Sequence, residues 1–304
     1  MIRNFGFLLS LIVVACTAQE PHRATREPAA VETQKSSLTI ISWNMKHLGR
    51  ANQNTEAAAS LLSGGDLITL QEVNSTESGH TALMRLATQL RKVSPGERIC
   101  VGLSEIPTEG KERYGYLWKD SRVSYVKANG EILESCPSSA VTIRLGVKNA
   151  DRIVREPAYG TFLARAVKKR FVLASVHLLP SGKKPQREVP PLFDTFKEVS
   201  EPVIVAGDFN LDSGHSAFDS ARGLQFSAAF IGTKTSLKSK KRELSKPYDN
   251  FWFKNVNLKA SRVINLYDAL PKMAQKEIFN SLSDHCPIVG EFDFGAGVRS
   301  PSNN

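Results

Sequence analysis

The stretch Val205-Ala206-Gly207-Asp208-Phe209-Asn210 decides the fold and the position of the functional site. The apolar run Pro202–Ala206 leads directly into it, which predicts a buried strand with polar side chains at its end. Residues two apart on a strand face the same side, so Asp208 and Asn210 are expected to point at one ligand. Gly207 lets the backbone and a substrate approach closely. A carboxylate beside a carboxamide suits a hard metal ion that carries a phosphate, with an ordinary Asp-Asn turn as the alternative.

Four other strand-like runs meet polar residues of the same chemical type. They are Leu38–Trp43 before Asn44, Asp66–Leu70 before Gln71-Glu72, Arg170–Val176 before His177, and Cys286–Phe292 after Asp284-His285. One polar strand end is typical of a turn. Five of them predict a single functional site at the carboxyl edge of a sheet system.

The first residues are predicted to be an export signal and not part of the fold. Met1–Asn4 carries one positive charge, and Phe5–Ala15 is apolar but too short to span a bilayer. Val13-Val14-Ala15-Cys16 resembles the lipobox of bacterial lipoproteins. We therefore expect a signal peptide over residues 1–15 and, over residues 16–37, a lipidated Cys16 and a flexible tether. The alternative is ordinary secretory cleavage that gives a soluble product.

The rest of the chain is predicted to form one large domain over residues 38–294, followed by a frayed tail over residues 295–304. A hydrophobic content of 41% is sufficient for such a core. Helices are expected at Asn54–Leu62 and Ser78–Lys92, and at Pro190–Val199 before the central strand. Strand-like runs outnumber helices, which favours two packed sheets with helices outside over one doubly wound sheet.

The net charge is +10, from 40 basic and 30 acidic residues. A basic exported protein can meet nucleic acid, anionic lipid or lipopolysaccharide, and the metal-type carboxylates favour a polyanionic substrate. The basic segment Lys234–Arg242 is expected to be a loop that follows a nucleic-acid backbone or, equally, a solvated loop without a partner. Beyond Cys16, the cysteines Cys100, Cys136 and Cys286 allow at most one internal disulfide. Cys100 and Cys286 lie in apolar strand contexts, which predicts buried thiols.

Several motifs resemble, in order, those of the endonuclease/exonuclease/phosphatase superfamily, and within it the deoxyribonuclease I branch. They are Ile41-Ser42-Trp43-Asn44, Gln71-Glu72-Val73, Lys111-Glu112-Arg113-Tyr114, Arg155-Glu156-Pro157-Ala158, Val176-His177 with Pro180-Ser181, Gly207-Asp208-Phe209-Asn210, Tyr248-Asp249 and Ser283-Asp284-His285. The resemblance implies an α/β four-layer sandwich, in which two packed, mostly antiparallel β-sheets are flanked by α-helices. It also implies hydrolysis of phosphodiesters with Mg²⁺, or with Mn²⁺ or Ca²⁺.

The resemblance assigns the proton transfers to two histidines. By resemblance, Glu112 orients His177 and Asp249 orients His285. We assign His285 as the base that takes a proton from water and His177 as the acid on the leaving oxygen, and the reverse assignment stays open.

The remaining residues of the expected site bind the metal or the phosphate. Glu72 is the principal Mg²⁺ ligand, with Asn44 beside it. Asp208, Asn210 and Asp284 are expected to bind metal, position the phosphate or assist the nucleophile. Arg155 offers a planar pair of donors to the phosphate. His47, His80 and His215 belong to no motif and are expected at the surface.

Two positions depart from the deoxyribonuclease I pattern. Where that enzyme places an arginine in the minor groove, this chain has Asn74, and where it stacks a tyrosine on a sugar, this chain has Glu109-Gly110. The leading hypothesis is a lipid-anchored, Mg²⁺-dependent endonuclease of the cell envelope that leaves 5′-phosphate and 3′-hydroxyl ends on DNA. The alternatives are a phosphoesterase for a small phosphoester or phospholipid headgroup, and a non-catalytic surface lipoprotein.

Overall fold

The apolar runs of the sequence form buried strands that end at the polar residues. The structure is a computed structural model that describes Met1 and residues 35–107, 111–146 and 153–295. The predicted signal peptide, Cys16, nearly all of the tether, Glu109-Gly110 and residues 296–304 lie outside the described residues. The described residues from 35 to 295 belong to one compact unit.

The described residues contain thirteen strands and six α-helices. The strands are β1 (Ser37–Leu48), β2 (Leu67–Asn74), β3 (Ile99–Ser104), β4 (Glu112–Lys119), β5 (Val123–Val126), β6 (Val141–Leu145), β7 (Ala158–Ala164), β8 (Lys169–His177), β9 (Val203–Asp208), β10 (Ser227–Ala228), β11 (Asp249–Lys254), β12 (Asn257–Val263) and β13 (Ile288–Asp293). The helices are α1 (Thr55–Leu62), α2 (Glu77–Val93), α3 (Val189–Asp194), α4 (Asp219–Gly223), α5 (Leu266–Ala269) and α6 (Gln275–Ser281).

The strands follow one hydrogen-bonded path that curls back on itself. Its order is β10-β11-β9-β8-β7-β6-β3-β4-β2-β1-β13-β12, and β5 pairs with β7. The path has two halves, one from β10 to β7 and the other from β3 to β12. Strand β6 joins them, because it pairs parallel with β3 and antiparallel with β7. Side chains from both halves fill the space between them, including Ile40, Trp118, Phe162 and Phe292. The two halves therefore pack face to face around a shared core.

Helices cover the outer faces of both halves. On one side α1 and α2 pack Leu62 and Leu83 against the core that holds Trp43. On the other side α3 and α4 pack with Trp252, whose ring stacks on Phe218 at 4.6 Å. The predicted α/β fold of two packed sheets with flanking helices is confirmed. No helix in the described ranges is long and apolar enough to cross a membrane.

The cysteines correct one prediction. Cys100 on β3 is buried, as predicted, but it forms a disulfide with Cys136 in the loop before β6 and is not a free thiol. The sequence could not show which two of the three cysteines pair, because Cys100 and Cys136 are 36 positions apart and meet only in the folded chain. Cys286 is free and buried, and its burial raises the pKa of the thiol to about 12.

Candidate active site

Three neighbouring strands place three functional side chains in one row. In the parallel pair β8–β9 His177 lies opposite Asp208, and in the antiparallel pair β9–β11 Asp208 lies opposite Asp249. Asp208 and Asp249 are almost completely buried, at 1% and 2% exposure. Strand register therefore gathers residues that are 31 and 41 positions apart in the sequence.

Gly207 allows β9 to lie close to β8. Its φ is +146°, and a Cβ atom there would come within 2.0 Å of the carbonyl oxygen of Val176. The sequence predicted a close approach of the backbone and a substrate at Gly207, whereas the close approach in the structure is between the backbones of two strands. It brings His177 and Asp208 side by side.

The other half of the sheet contributes Asn44 and Glu72. Asn44 is fully buried, and its Nδ2 donates to Glu72 Oε1 at 2.9 Å and to Asp208 Oδ2 at 3.1 Å. Its Oδ1 accepts the backbone N–H of Lys46 at 2.9 Å. The amide nitrogen of Asn44 therefore faces both carboxylates and connects the two halves of the sheet. The prediction that Asn44 binds a metal stays a prediction.

A second polar contact joins the halves below the site. Gln71 is fully buried, and its Nε2 donates to Ser42 Oγ at 3.1 Å and to Ser175 Oγ at 2.9 Å. Ser42 lies on β1 and Ser175 on β8, so one side chain holds strands from both halves. Because a buried amide without partners is costly, this network fixes how the two halves meet.

His177 lies between a carboxylate and a guanidinium. Its Nδ1 is 2.8 Å from Glu112 Oε2, and its Nε2 is 2.7 Å from Arg155 Nη1. Burial pushes the pKa of Glu112 up, but the hydrogen bond from His177 and the charge of Arg155 outweigh burial and hold that pKa below its usual range. Glu112 is therefore an anion that orients His177.

His285 has a more deeply buried support. Its Nδ1 is 2.8 Å from Asp249 Oδ2, which also accepts the hydroxyl of Thr235 at 2.6 Å. Burial acts to lower the pKa of His285, but the carboxylates of Asp249 and Asp208 raise it to about 10. This imidazole is therefore stabilised in its charged form.

Both histidines direct the other ring nitrogen at one carboxylate. His177 Nε2 and His285 Nε2 each lie 3.6 Å from Asp208 Oδ2. Glu72 Oε1 lies 3.8 Å from His177 Nε2 on the same side. Two orienting pairs thus flank a shared acidic centre, which is the geometry expected for two proton transfers at one bound group.

Asn210 reaches the centre by a turn. Strand β9 ends at Asp208, and Asn210 has a left-handed backbone with φ of 49°. Asp208 Oδ1 accepts the Asn210 N–H at 2.8 Å, and Asn210 Nδ2 donates to the carbonyl of Leu178 at 3.0 Å. The two side chains lie together, as expected, but through an Asx-type turn and not through strand alternation.

The Ser283-Asp284-His285 motif contains one buried anchor and one exposed carboxylate. Ser283 Oγ donates to the carbonyl of Asn44 at 2.6 Å, and Trp43 Nε1 donates to the carbonyl of His285 at 2.8 Å. Asp284 instead pairs with Lys46, 3.5 Å away at the rim of the site. The motif is therefore fixed to β1 on its serine and histidine side.

Glu72 and Asp208 are the residues best suited to a divalent cation. Both carboxylates are largely buried, and no lysine or arginine of the described residues forms an ion pair with either. Hard oxygen donors that no lysine or arginine pairs with fit Mg²⁺ or Mn²⁺. The structure also brings His47, Glu72 and Glu112 together, with ligand atoms within 4.8 Å of one another.

Sequence reasoning missed several residues that position the site. Thr235 donates to Asp249, and Gln71 joins Ser175 to the other half of the sheet below the site. His47 contacts Glu72 although it belongs to no motif. Glu188 is 2% exposed and accepts the N–H groups of Val154 and Leu179 at 2.8 and 2.7 Å, which joins the Arg155 segment to the turn after His177. A hydroxyl or carboxylate in a polar segment gives no signal of such a role.

The basic segment Lys234–Arg242 is a loop that borders the site. Ser236 forms an isolated bridge with His285, and Lys238 pairs with Glu243. Arg242 donates to the carbonyls of Met273 and Tyr267. Lys234, Lys240 and Lys241 are exposed. The loop therefore supports Asp249 through Thr235 and presents its lysines to solvent.

Comparison with known proteins gives relatives by sequence and by fold. A curated protein called "Deoxyribonuclease" from Thioalkalivibrio sp. (strain K90mix) is 27% identical over 228 residues, which are 71% of this chain and 58% of that protein. The chain thus spans less than two thirds of that relative.

Solved structures share the fold at low sequence identity. D. rerio TDP2 complexed with a single strand DNA product has a TM-score of 0.55 and 17% identity over 85% of this chain and 99% of that chain. The mannosyl-6-phosphatase Bt3783 of Bacteroides thetaiotaomicron VPI-5482 has a TM-score of 0.54 and 14% identity over 84% of this chain and 100% of that chain.

A family model covers most of the domain. It describes the Endonuclease/Exonuclease/phosphatase family and matches residues 41–285, from the first strand to the second catalytic candidate histidine. That match spans both halves of the sheet and every described residue of the site from Asn44 onward. The chain therefore belongs to the Endonuclease/Exonuclease/phosphatase family.

Proposed function

We propose that this protein is a phosphodiesterase that depends on a divalent cation and hydrolyses DNA internally, leaving 5′-phosphate and 3′-hydroxyl ends. The observation that carries the proposal is the pair of imidazoles, each 2.8 Å from an orienting carboxylate and each 3.6 Å from Asp208. Hydrolysis of a phosphodiester needs one group to take a proton from water and one to protonate the leaving oxygen. The two histidines supply these groups, because both direct Nε2 at the same oxygen of Asp208.

The hydrogen bonds support different roles for the two histidines. A guanidinium only donates, so Arg155 Nη1 makes His177 Nε2 an acceptor, and His177 Nδ1–H then donates to Glu112. His177 Nε2 then presents a lone pair that can take a proton once Arg155 turns to a phosphate. His285, between Asp249 and Asp208, holds a proton that it can give. This assigns His177 as base and His285 as acid, the reverse of the assignment that the sequence favoured and the one that it left open.

The phosphate is bound by donors around this centre. Arg155 is partly exposed beside His177 and offers two parallel N–H groups to phosphate oxygens. Asn210 Nδ2, held by Leu178, is a second donor on the same side. Glu72 and Asp208 would hold the cation, with Mg²⁺ implied by the family resemblance. When bound, a divalent cation supplies positive charge to the phosphate as negative charge develops on it.

The choice of DNA is supported by sequence and charge. The Thioalkalivibrio relative is named a deoxyribonuclease, and this chain has a net charge of +10 with exposed lysines in the loop beside His285. Export to the cell envelope and a lipid anchor at Cys16 remain part of the proposal. The disulfide Cys100–Cys136 supports export, because disulfides persist in oxidising compartments.

Plasmid nicking tests the activity. Wild type is expected to convert supercoiled plasmid to the nicked form with Mg²⁺ and to lose this activity in EDTA. The cut ends are expected to be substrates for a ligase without prior phosphorylation, since they carry a 5′-phosphate. No cation-dependent cleavage of plasmid, single-stranded DNA or RNA would reject the nuclease proposal.

A small phosphoester or a phospholipid headgroup is the second candidate substrate. Asn74, partly buried at the end of β2, motivates it, because an amide there lacks the charge that a groove-binding arginine brings. This candidate predicts faster turnover of an inositol phosphate or sphingomyelin than of DNA. It also predicts a weak dependence on salt, whereas cleavage of DNA weakens steeply as salt displaces the backbone contacts.

A further inference from the structure

His47 is an imidazole at the mouth of the site that neither the motifs nor the proposed proton transfers use. Its side chain is 57% exposed, and its Nδ1 lies 3.3 Å from Glu72 Oε2. Glu72 Oε1 is the atom that Asn44 holds. One oxygen of Glu72 is therefore fixed by the protein interior, and the other faces His47.

A bulge in β1 turns His47 towards Glu72. The register between β1 and β2 shifts between Asn44 and Leu48, and Lys46 and His47 both have left-handed backbones, with φ of 47° and 65°. Asn44 Oδ1 accepts the Lys46 N–H, and Gln53 accepts the Gly49 N–H at 2.8 Å, so both ends of the bulge are held. Two consecutive non-glycine residues with positive φ are unfavourable and are kept only where their surroundings fix them.

Glu112 completes a set of three donors. One ligand atom each from His47, Glu72 and Glu112 lies within 4.8 Å of the others, which is close to the separation of about 4.4 Å between opposite ligands of one cation with bonds of about 2.2 Å. Glu112 uses Oε2 for His177, while the nearest ion-pair partner of its Oε1 is Arg155 at 3.7 Å. The set therefore offers one nitrogen and two carboxylates at the side of the site that faces solvent.

The nitrogen changes which cation suits the site. Mg²⁺ takes oxygen ligands and keeps several waters, whereas first-row transition ions accept imidazole readily. We propose that His47 is a ligand of the divalent cation at Glu72 and gives the site a preference for Mn²⁺ over Mg²⁺. This inference rests on the proposed cation dependence and deepens it.

Binding of Mn²⁺ to the full chain without substrate tests the inference. The variant is His47→Asn, because asparagine tolerates a left-handed backbone and so keeps the bulge. The matched control is His80→Asn, since His80 forms the same 3.3 Å contact with a glutamate, Glu77, on the exposed side of α2. Calorimetric titration gives the affinities for Mn²⁺ and Mg²⁺, and pulsed EPR of bound Mn²⁺ detects coupling to a ligand nitrogen.

In wild type and His80→Asn we expect nitrogen coupling and tighter binding of Mn²⁺ than of Mg²⁺. In His47→Asn the coupling is expected to disappear and the Mn²⁺ affinity to fall roughly ten- to hundred-fold, with Mg²⁺ affinity nearly unchanged. Equal Mn²⁺ affinities in wild type and His47→Asn, or nitrogen coupling that persists in the variant, would overturn the inference.

The same measurements separate this inference from the proposed function. If nitrogen coupling depends on His47 but the protein cleaves no nucleic acid, the nuclease proposal is rejected and the role of His47 is kept. Cation-dependent cleavage by a protein whose bound Mn²⁺ shows no nitrogen coupling sinks the role of His47 alone. A thermal unfolding curve for His47→Asn that matches wild type in EDTA shows that the bulge is intact.

Discussion

The two histidine–carboxylate pairs have the same internal distance and different surroundings. His177 Nδ1 and His285 Nδ1 each lie 2.8 Å from a carboxylate oxygen. Glu112 is 20% exposed and shares its neighbourhood with Arg155, whereas Asp249 is 2% exposed and also accepts the hydroxyl of Thr235. The His177–Glu112 pair, called the open pair below, is accessible to an incoming anion. The His285–Asp249 pair, called the sealed pair, is buried in the fold.

The difference shows how one site can hold two imidazoles in different states. The open pair has a guanidinium as neighbour, which keeps the Nε2 lone pair of His177 in use as an acceptor. The sealed pair has two carboxylates as neighbours and no arginine or lysine in an ion pair with them among the described residues, which favours the charged form of His285. Environment, and not residue type, separates acid from base.

Replacing each histidine should give the largest effects, and the two variants should differ on a substrate whose leaving group needs no proton. On DNA, His177→Ala and His285→Ala are each expected to lower kcat/KM by about 10²–10⁴-fold. On the p-nitrophenyl ester of thymidine 5′-phosphate, His285→Ala should recover most activity, because p-nitrophenolate leaves without a proton, while His177→Ala should not. His80→Ala serves as control and should match wild type. Recovery by His177→Ala instead would exchange the two roles.

Replacing the carboxylate of each pair by an amide should lower the free energy of unfolding more in the sealed pair than in the open pair. Asp249→Asn breaks a buried pair and is expected to cost about 3–5 kcal/mol of unfolding free energy. Glu112→Gln alters a partly exposed pair, so its cost should stay below about 1 kcal/mol although its kcat falls. Urea unfolding in EDTA measures both. Equal losses of stability would contradict the contrast between a sealed and an open pair.

Removing one hydroxyl should sharpen the description of the sealed pair. Thr235→Val removes the donor to Asp249 and the acceptor for the N–H groups of Tyr248 and Asp249. The expected cost is about 1–3 kcal/mol, since buried polar groups lose their partner. Ser124→Ala is the control, because Ser124 Oγ is buried without a hydrogen-bond partner in the described residues. A Thr235→Val protein as stable as Ser124→Ala would contradict the support of Asp249 by Thr235.

The smallest expected effect, taken per pH unit, is a dependence of the free energy of unfolding on pH. The pKa of His285 rises from its ordinary 6.5 to about 10 in the fold. The stabilisation is therefore complete below pH 6.5, declines as pH rises, and is lost above about pH 10, with a slope of at most about 1.4 kcal/mol per pH unit. In EDTA, the free energy of unfolding should fall more steeply from pH 7 to pH 9 for wild type than for His285→Ala. Parallel curves would show that His285 is not charged in the fold.

The sequence predicted the strands that carry the site better than the contacts between them. The apolar runs before Asn44, Glu72, His177 and Asp208 became β1, β2, β8 and β9 within a few residues. A continuous apolar run predicts a buried strand, so the position of such a strand can be predicted from a single sequence. Strand β12 was missed because most of its residues are partly or fully exposed, and β11 was missed although it is largely buried.

The geometry of the site could not be read from strand periodicity. Glu72, at a register shift within β2, and Asn210, in the turn after β9, have left-handed backbones with φ of 57° and 49°, which alternation along a strand does not describe. His47 was expected at the surface and is exposed, but the bulge that turns it to Glu72 depends on a register shift between two strands. Thr235 and Gln71 act through partners more than ten residues away in the chain. Such roles arise from tertiary contacts and leave no local pattern.

The absence of a side chain at position 207 has a consequence for how this gene can vary. Since any Cβ there meets the Val176 carbonyl at 2.0 Å, a library that samples every amino acid at this codon should return folded clones with glycine alone. Glycine is therefore required at this position for folding, even if catalysis is no longer under selection. In diverged or inactive copies of the gene it would therefore persist after the histidines are lost, as a marker of ancestry and not of activity.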